Sequence, residues 1–239
     1  MSVRFRDRAA LLGETLVCAD LHAGKDRTAN VELPLGEREN LLGRTRDLLE
    51  RFEPAEVVFA GDVLHSFDRL PAAARETLSA LRQTISEAGS DLVVLGGNHD
   101  TMLDTLWPGD VRAEYEIGPL AWPWADGAER SVVACHGHVE PAADADCYVI
   151  GHDHPTITIE GRKWHCYLYG ESAYRGADVL VLPAFSHLVE GVSINRRFGT
   201  SALDSPLISD LGQFRPIVWD EGSDETRSFP PLSEFRRLL

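Results

Sequence analysis

Five short stretches hold the residues that could do chemistry: Asp20-Leu21-His22, Gly61-Asp62, Gly97-Asn98-His99-Asp100, His136-Gly137-His138 and Gly151-His152-Asp153-His154. Each follows an apolar run of strand length, so each delivers carboxylates, imidazoles or an amide to the carboxyl end of a strand. Asp20, His22, Asp62, Asn98, His136, His152 and His154 make a mixed oxygen and nitrogen donor set of intermediate hardness. Such a set suits Mn, Fe, Zn or Co better than Ca or Mg, and the lack of a Cys donor argues against a structural zinc. It is too large for one ion. Two ions about 3.5 to 4 Å apart, sharing one carboxylate, would use it and would lower the pKa of a bridging water enough to give hydroxide near neutral pH. Taken singly, each motif has a plainer explanation: Gly-Gly-Asn-His-Asp is also a good turn sequence, and a lone histidine is commonly a hydrogen-bonded core residue. That explanation fits poorly when seven of nine histidines lie in or beside the motifs and only His165 and His187 lie outside.

Alternating strands and helices must position these groups. Residues 8–13 and 15–19 read as two strands joined by a turn at Gly13-Glu14. Residues 36–52 read as a helix, with Leu41, Leu42, Thr45, Leu48, Leu49 and Phe52 at helical spacing. Residues 56–60 form the next strand, residues 71–88 a helix carrying Leu78, Leu81 and Ile85 and stopped by Gly89, and residues 91–95 a third strand. This order predicts right-handed crossovers and a largely parallel sheet with its sites on the carboxyl edge. Beyond residue 100 helical periodicity largely disappears, and strands are expected at 111–117, 120–122, 130–136, 146–150, 156–160, 163–169 and 179–182. No linker, repeat or charge block interrupts the chain, so one domain spanning 1–239 is expected, with 200–239 and its apolar run at Trp219 as a packing extension.

The 239 residues carry a formal charge of −15, from 38 acidic against 23 basic side chains, and Lys25 and Lys163 are the only lysines. This balance suits a halophilic host, where salt screens self-repulsion. No stretch has the apolar length of a membrane span, and residues 1–8 lack a signal core, so a cytoplasmic protein is expected. The four cysteines have no Cys-x-x-Cys spacing, and Cys18 and Cys135 sit in apolar runs as small buried hydrophobes would. Trp107, Trp122 and Trp124 flank proline turns, where they would either stack on a base or pack inside.

In their order, Asp-x-His, Gly-Asp, Gly-Asn-His-Asp, His-Gly-His and Gly-His-x-His resemble the five blocks of the calcineurin-like metallophosphoesterases, the superfamily that includes the SbcD-type nucleases. The longer strings at 19–25, 61–65 and 182–185 are similar to the archaeal SbcD-related and bacterial ligase-associated phosphoesterase branch and extend the likeness to about residue 195. The resemblance implies an α/β fold, a four-layer α/β/β/α sandwich with two divalent metal ions at the sheet edges, Mn²⁺ foremost and Zn²⁺, Fe²⁺ or Co²⁺ as alternatives. Asp20, His22, Asp62 and His154 would hold the first ion, and Asp62, Asn98, His136 and His152 the second, with Asp62 bridging. His99 would bind phosphate and act as general acid, and Asp100 would orient its ring. His136 and His138 are both within reach of the metals. His136 matches the ligand position, which leaves His138 either supporting a ligand from behind or facing substrate. Lys25 and His65 either contact substrate phosphate or are solvated loop residues.

The implied activity is phosphodiester hydrolysis by a metal-bridging hydroxide, with a DNA-repair-related nuclease as one version. A small cyclic-nucleotide or nucleotide phosphodiesterase fits the acidic composition as well, because non-specific nucleic-acid binding leans on Lys and Arg and weakens with salt. A scaffold that keeps the fold without the chemistry is the reading from another class. The complete ligand set favours catalysis.

Overall fold

The computed structural model describes residues 3–25, 36–65, 72–125, 127–195 and 203–235. The chain begins with β1 (Arg4–Arg6), β2 (Ala9–Leu12) and β3 (Thr15–Cys18), followed by α1 (Glu37–Phe52), β4 (Glu56–Ala60), α2 (Ala72–Glu87) and β5 (Asp91–Leu95). A single turn of helix, α3 (Leu103–Leu106), precedes β6 (Val111–Arg112). In β3 and β4 nearly every residue is buried on both sides, the pattern of central strands in a covered parallel sheet. β3, β4, β5 and β6 run parallel, while β1 and β2 extend the sheet antiparallel at its other side. One face of this six-stranded sheet is covered by Leu41, Leu48 and Leu49 of α1 and Leu78, Leu81 and Ile85 of α2. Gly89, in left-handed backbone at φ 81°, ends the second crossover helix as its position in sequence predicts.

The second half supplies β7 (Glu114–Ala121), β8 (Glu129–Cys135), β9 (Cys147–Ile150), β10 (Pro155–Ile159), β11 (Arg162–His165), β12 (Tyr167–Tyr174), β13 (Ala177–Val181), β14 (Val192–Ser193), β15 (Arg215–Asp220) and β16 (Glu225–Ser228). Seven of these form a mixed sheet in the order β16-β15-β12-β13-β9-β8-β7, and β11-β10-β14 form a small third sheet. The two large sheets lie face to face. Val17, Val58 and Leu95 of the first pack against Val132, Ala134, Val149, Tyr167, Tyr169 and Leu180 of the second in one buried cluster. Trp122, fully buried, belongs to that cluster, and Trp124 stacks on Tyr169 at 4.1 Å between ring centroids. Those two indoles pack inside.

Several elements differ from the sequence expectation. β1 is too short to show a period, and the expected strand at 111–117 splits into β6, in the first sheet, and the start of β7, which runs on through the expected strand at 120–122 as far as Ala121. β7 carries a register shift between Glu116 and Gly118 and a proline at 119, and as an edge strand it tolerates both the bulge and the missing amide. The expected strand at 163–169 breaks at Cys166 into β11 and β12, which belong to different sheets. Residues 215–228 are more than packing, because β15 pairs with β12 and extends the seven-stranded sheet.

The α/β class holds, with helices α1 and α2 covering the first sheet and the two large sheets packed face to face. The outer face of the second sheet is covered by Ile194, Leu203, Leu207, Leu211, Phe214 and Leu232, which lie in irregular chain, a 3-10 turn at Leu211–Gln213 and one short helix, α4 (Leu232–Phe235). Pro206, Gly212, Pro230 and Pro231 punctuate the described part of this stretch. All four cysteines are free and buried. No helix among the described residues is long and apolar enough to cross a membrane.

The inter-sheet core sets a stability test. Leu180→Ala opens a cavity between sheets that cannot collapse freely, so we expect a loss of about 2–5 kcal/mol in urea unfolding. A loss under about 1 kcal/mol would show that the two sheets are not tightly packed there.

Candidate metal centre

The motif residues meet where the two sheets abut at their carboxyl ends. Ala19 bridges Ala184 and Ala23 bridges Leu64. The amides of Asp20 and His22 donate to the carbonyls of Gly61 (3.0 Å) and Asp62 (2.9 Å), so the first two motif loops are locked together through main chain. Left-handed backbone recurs among the candidates: Asp20 (φ 59°), His22 (47°), Asp62 (46°), His152 (72°) and His154 (49°). For residues other than glycine this costs on the order of 1–3 kcal/mol each and persists only where surroundings impose it, most often at functional sites. Close approach explains two of the motif glycines. A Cβ at Gly97 would sit 2.2 Å from Asp62 Oδ1, and one at Gly151 would sit 2.7 Å from Asp20 Oδ2.

Two groups of donors converge around Asp62. On one side are Asp20, His22, Asp62 and His154, whose candidate ligand atoms all lie within 4.8 Å of one another. His154 Nε2 is 3.1 Å from Asp20 Oδ1, and His22 Nε2 is 3.8 Å from Asp62 Oδ2. His22 Nδ1 is buried without a hydrogen-bond partner. On the other side, His136 Nε2 lies 3.0 Å from Asn98 Oδ1 and 3.4 Å from Asp62 Oδ1, and the His152 ring stands 5.0 Å from the His136 ring, centroid to centroid. His136 Nδ1 is 3.2 Å from the Ala60 carbonyl, which orients the ring and leaves Nε2 facing Asp62 and Asn98.

The electrostatics of this cluster call for a cation. Asp20 and Asp62 are 0% and 1% exposed, yet among the described residues their only ionic partners are histidines. Burial opposes ionisation of both, but His154, His136 and His22 around Asp20, and His136, His99 and His22 around Asp62, hold both carboxyls below the usual range. In return, His136 is held up at about 9: burial disfavours its charge, and the hydrogen bond to Asp62 with the charges of Asp20 and Asp62 outweighs that. Without a metal, protons on imidazoles compensate the carboxylates, and metal binding would release them. The same atoms, buried and preorganised with no Lys or Arg beside them among the described residues, fit divalent ions of the nitrogen- and oxygen-binding kind.

The sequence profile of the calcineurin-like phosphoesterases matches residues 14–187. The chain belongs to that family. It is thus a metal-dependent phosphoesterase, and the matched span covers all seven candidate ligands. The crystal structure of the nuclease MPE from Pseudomonas putida shares the fold, with a TM-score of 0.53 and 21% identity over 89% of this chain and 88% of that one. YfcE, a phosphoesterase from E. coli, aligns with a TM-score of 0.46 and 14% identity over 91% of this chain and 98% of that one. No curated protein matches the chain.

Within this phosphoesterase the remaining candidates gather around the same centre. His99 Nε2 is 3.9 Å from Asp62 Oδ2, and its ring lies parallel to that of His65 at 6.0 Å. His22, His65 and His99 form a second group able to hold an ion. The His138 ring is 5.2 Å from that of His136 and 6.1 Å from that of His152. Lys25 enters through its main chain, whose amide donates to Glu37. The Asp100 carboxylate accepts from the amides of Val63 (3.1 Å), Leu64 (2.8 Å) and Gly97 (2.9 Å), while His99 Nδ1 faces the His65 carbonyl at 3.4 Å. Asp100 thus fixes the two loops that present Asp62 and His99.

Three positioning residues escaped sequence reading. Glu37, buried at the start of α1, accepts from the amides of Gly24 (2.8 Å) and Lys25 (2.9 Å) and ties down the first motif loop. Asp153 accepts from the Asp204 amide at 2.6 Å, and Ser205 Oγ donates to the Gly137 carbonyl at 2.6 Å, so the C-terminal segment anchors both histidine loops. An acidic residue at the first turn of a helix was the one available signal for Glu37.

Gly97→Ala would set a Cβ 2.2 Å from Asp62 Oδ1 and 2.3 Å from the Asp62 main-chain nitrogen, so it should displace Asp62, lowering both the unfolding midpoint in denaturant and the metal content by elemental analysis. Normal metal content would show that the close approach is not required. Glu37→Ala should lower the unfolding free energy by about 1–3 kcal/mol through two orphaned amides, measured by denaturant titration. An unchanged midpoint would show that the loop is held by other contacts.

Proposed function

We propose that this phosphoesterase hydrolyses phosphodiesters with two divalent ions held at the strand ends, Asp20, His22, Asp62 and His154 around one, and Asp62, Asn98, His136 and His152 around the other. The observation that carries this reading is the placement of Asp62, whose two oxygens face different donor groups: Oδ2 toward His22 and Oδ1 toward His136. One carboxylate facing two clusters is what a shared ligand requires. When bound, the ions would neutralise the phosphoryl oxygens and activate a water near neutral pH. Mn²⁺ suits the mixed donors, and Zn²⁺, Fe²⁺ and Co²⁺ are the competitors.

The protein's own groups then have distinct tasks. His99 is more open to solvent than the ligand-group residues Asp20, His22, Asp62 and His136. Its Nδ1 faces the His65 carbonyl and its Nε2 points toward Asp62, so Nε2 is the nitrogen set to give a proton to the leaving oxygen. Asp100 keeps that ring in place through the loop whose amides it holds. His138 and His65, at the two flanks of the ligand groups, are positioned to hold substrate oxygens. Nucleic acid is one phosphodiester of this class.

Bis-p-nitrophenyl phosphate should be cleaved in a Mn²⁺-stimulated reaction faster than p-nitrophenyl phosphate, and Asp62→Asn should abolish it. A metal-loaded protein that prefers the monoester would overturn the diesterase reading, and a protein that binds no metal would overturn the centre itself. His99→Ala should keep its metal and lose about 10²- to 10⁴-fold in kcat. Activity within threefold of the parent would remove His99 from the proton-transfer role.

A further inference from the structure

Next to the metal centre lies a second cavity, of about 180 Å³, that the chemistry above does not use. Arg8, Arg162, Lys163, Trp164 and His165 line it, with Asp7 and Glu221 among the rest. Asp7 is already engaged, since Arg44 holds both of its oxygens at 2.7 and 2.8 Å. That leaves three cationic side chains facing Glu221 in a chain whose net charge is −15 and which has two lysines, one of them here. Arg8 donates to the carbonyls of Ser186 (2.8 Å) and Ala184 (3.4 Å), both neutral acceptors. The Arg162 guanidinium lies 3.9 Å from the centre of the Trp164 ring. His165 Nδ1 is buried without a hydrogen-bond partner.

The cavity is joined to the centre by two links, one of strand pairing and one of hydrogen bonding. His165 pairs with Thr156, two residues past His154, and neighbouring strands are about 4.8 Å apart. Ser186, whose carbonyl Arg8 holds, donates its amide to the Asp20 carbonyl at 3.2 Å. The volume is smaller than the roughly 300 Å³ at which sites for drug-sized ligands begin. A phosphate-sized anion fits it and a whole nucleoside does not.

We propose that this cavity is a subsite for a second phosphate of the substrate, so that the preferred substrate is an oligonucleotide strand carrying a phosphate beyond the one cleaved. The inference rests on the phosphodiesterase reading for its purpose, though not for its test. Arg162 and Lys163 grip the neighbouring phosphate, Arg8 supplies charge from the cavity floor, and the Trp164 ring forms an apolar wall against the sugar. Simple diesters, lacking a second phosphate, do not reach it. Basic side chains that are merely solvated would leave binding of long and short substrates equally unaffected by their removal.

The test pairs binding with turnover, using Arg162→Glu/Lys163→Glu, both at exposed positions and neither a candidate metal ligand, and the milder Lys163→Ala. The binding probe is a 5′-phosphorylated thymidine tetranucleotide with phosphorothioate linkages, titrated by fluorescence anisotropy from 0.1 to 0.5 M salt. We expect the double variant to bind at least tenfold more weakly, Lys163→Ala to fall between, and the salt slope to drop by about 0.7 for each phosphate no longer neutralised. Turnover of bis-p-nitrophenyl phosphate should stay within twofold of the parent. Unchanged tetranucleotide affinity, absence of binding by the parent protein, or an equal drop with the simple diester would each overturn the subsite. If the parent fails to cleave any diester, the phosphodiesterase reading falls, while the anisotropy arm still decides whether the cavity binds a phosphorylated strand.

Discussion

Two carboxylates, Asp20 and Asp62, are buried at the meeting point of two sheets without a lysine or arginine beside them among the described residues. Burying an ionised carboxylate is expensive unless it is paired and hydrogen-bonded. Here the pairing comes from imidazoles, and the residual demand for positive charge is what makes the cluster a cation site. Asp20 accepts the His152 amide and Asp62 accepts the His99 amide, so each carboxylate is also a main-chain cap that joins one motif loop to another. Removing either would therefore loosen a loop as well as remove a ligand.

That demand shapes the surrounding backbone. Strands such as β3 and β4 end one residue or two before a ligand, and the chain must turn at once to aim a side chain into the shared space. Left-handed residues at Asp20, His22, Asp62, His152 and His154 make those turns. Glycine would relieve the strain but would remove the ligand, so the strain falls on the functional residues and the glycines stand beside them at 61, 97 and 151. The surrounding structure holds the turns: the Ala19–Ala184 bridge, the Glu37 and Asp100 carboxylates on loop amides, and Ser205 and Asp204 reaching in from the C-terminal segment. From the outer side of the second sheet the histidine loops need a few directed hydrogen bonds and an apolar cover.

The parts legible in the sequence were those encoded locally. An apolar run followed by Gly-Asp or Gly-Asn-His-Asp shows a strand, its end and its donors within about ten residues, and α1 and α2 announce themselves by their leucine spacing. Illegible were pairings that connect distant segments through a single side chain. Nothing near Asp153 indicates that its partner is the amide of residue 204, and nothing near Asp100 indicates that it serves the amides of Val63 and Leu64. β16 was obscured for a related reason. It lies at a sheet edge and is exposed throughout, so it has no buried face to give alternation.

An acidic phosphoesterase must still attract an anionic substrate. At molar ionic strength the Debye length is about 3 Å, so the net charge of −15 is screened a few ångströms from the surface and neither repels nor steers strongly. Screening reaches exposed charges far more than buried ones. The substrate's affinity must then come from short-range contacts in protected places: ions held by buried carboxylates, imidazoles at the flanks, and guanidinium groups fixed by carbonyls. Arg8, anchored on the Ser186 and Ala184 carbonyls, is such a group, whereas an exposed lysine stripe of the usual nucleic-acid-binding kind would contribute little under the same conditions. In a saline host the scarcity of lysine would weaken non-specific attraction to polyanions without disabling the centre, because the buried carboxylates and imidazoles are shielded from that screening.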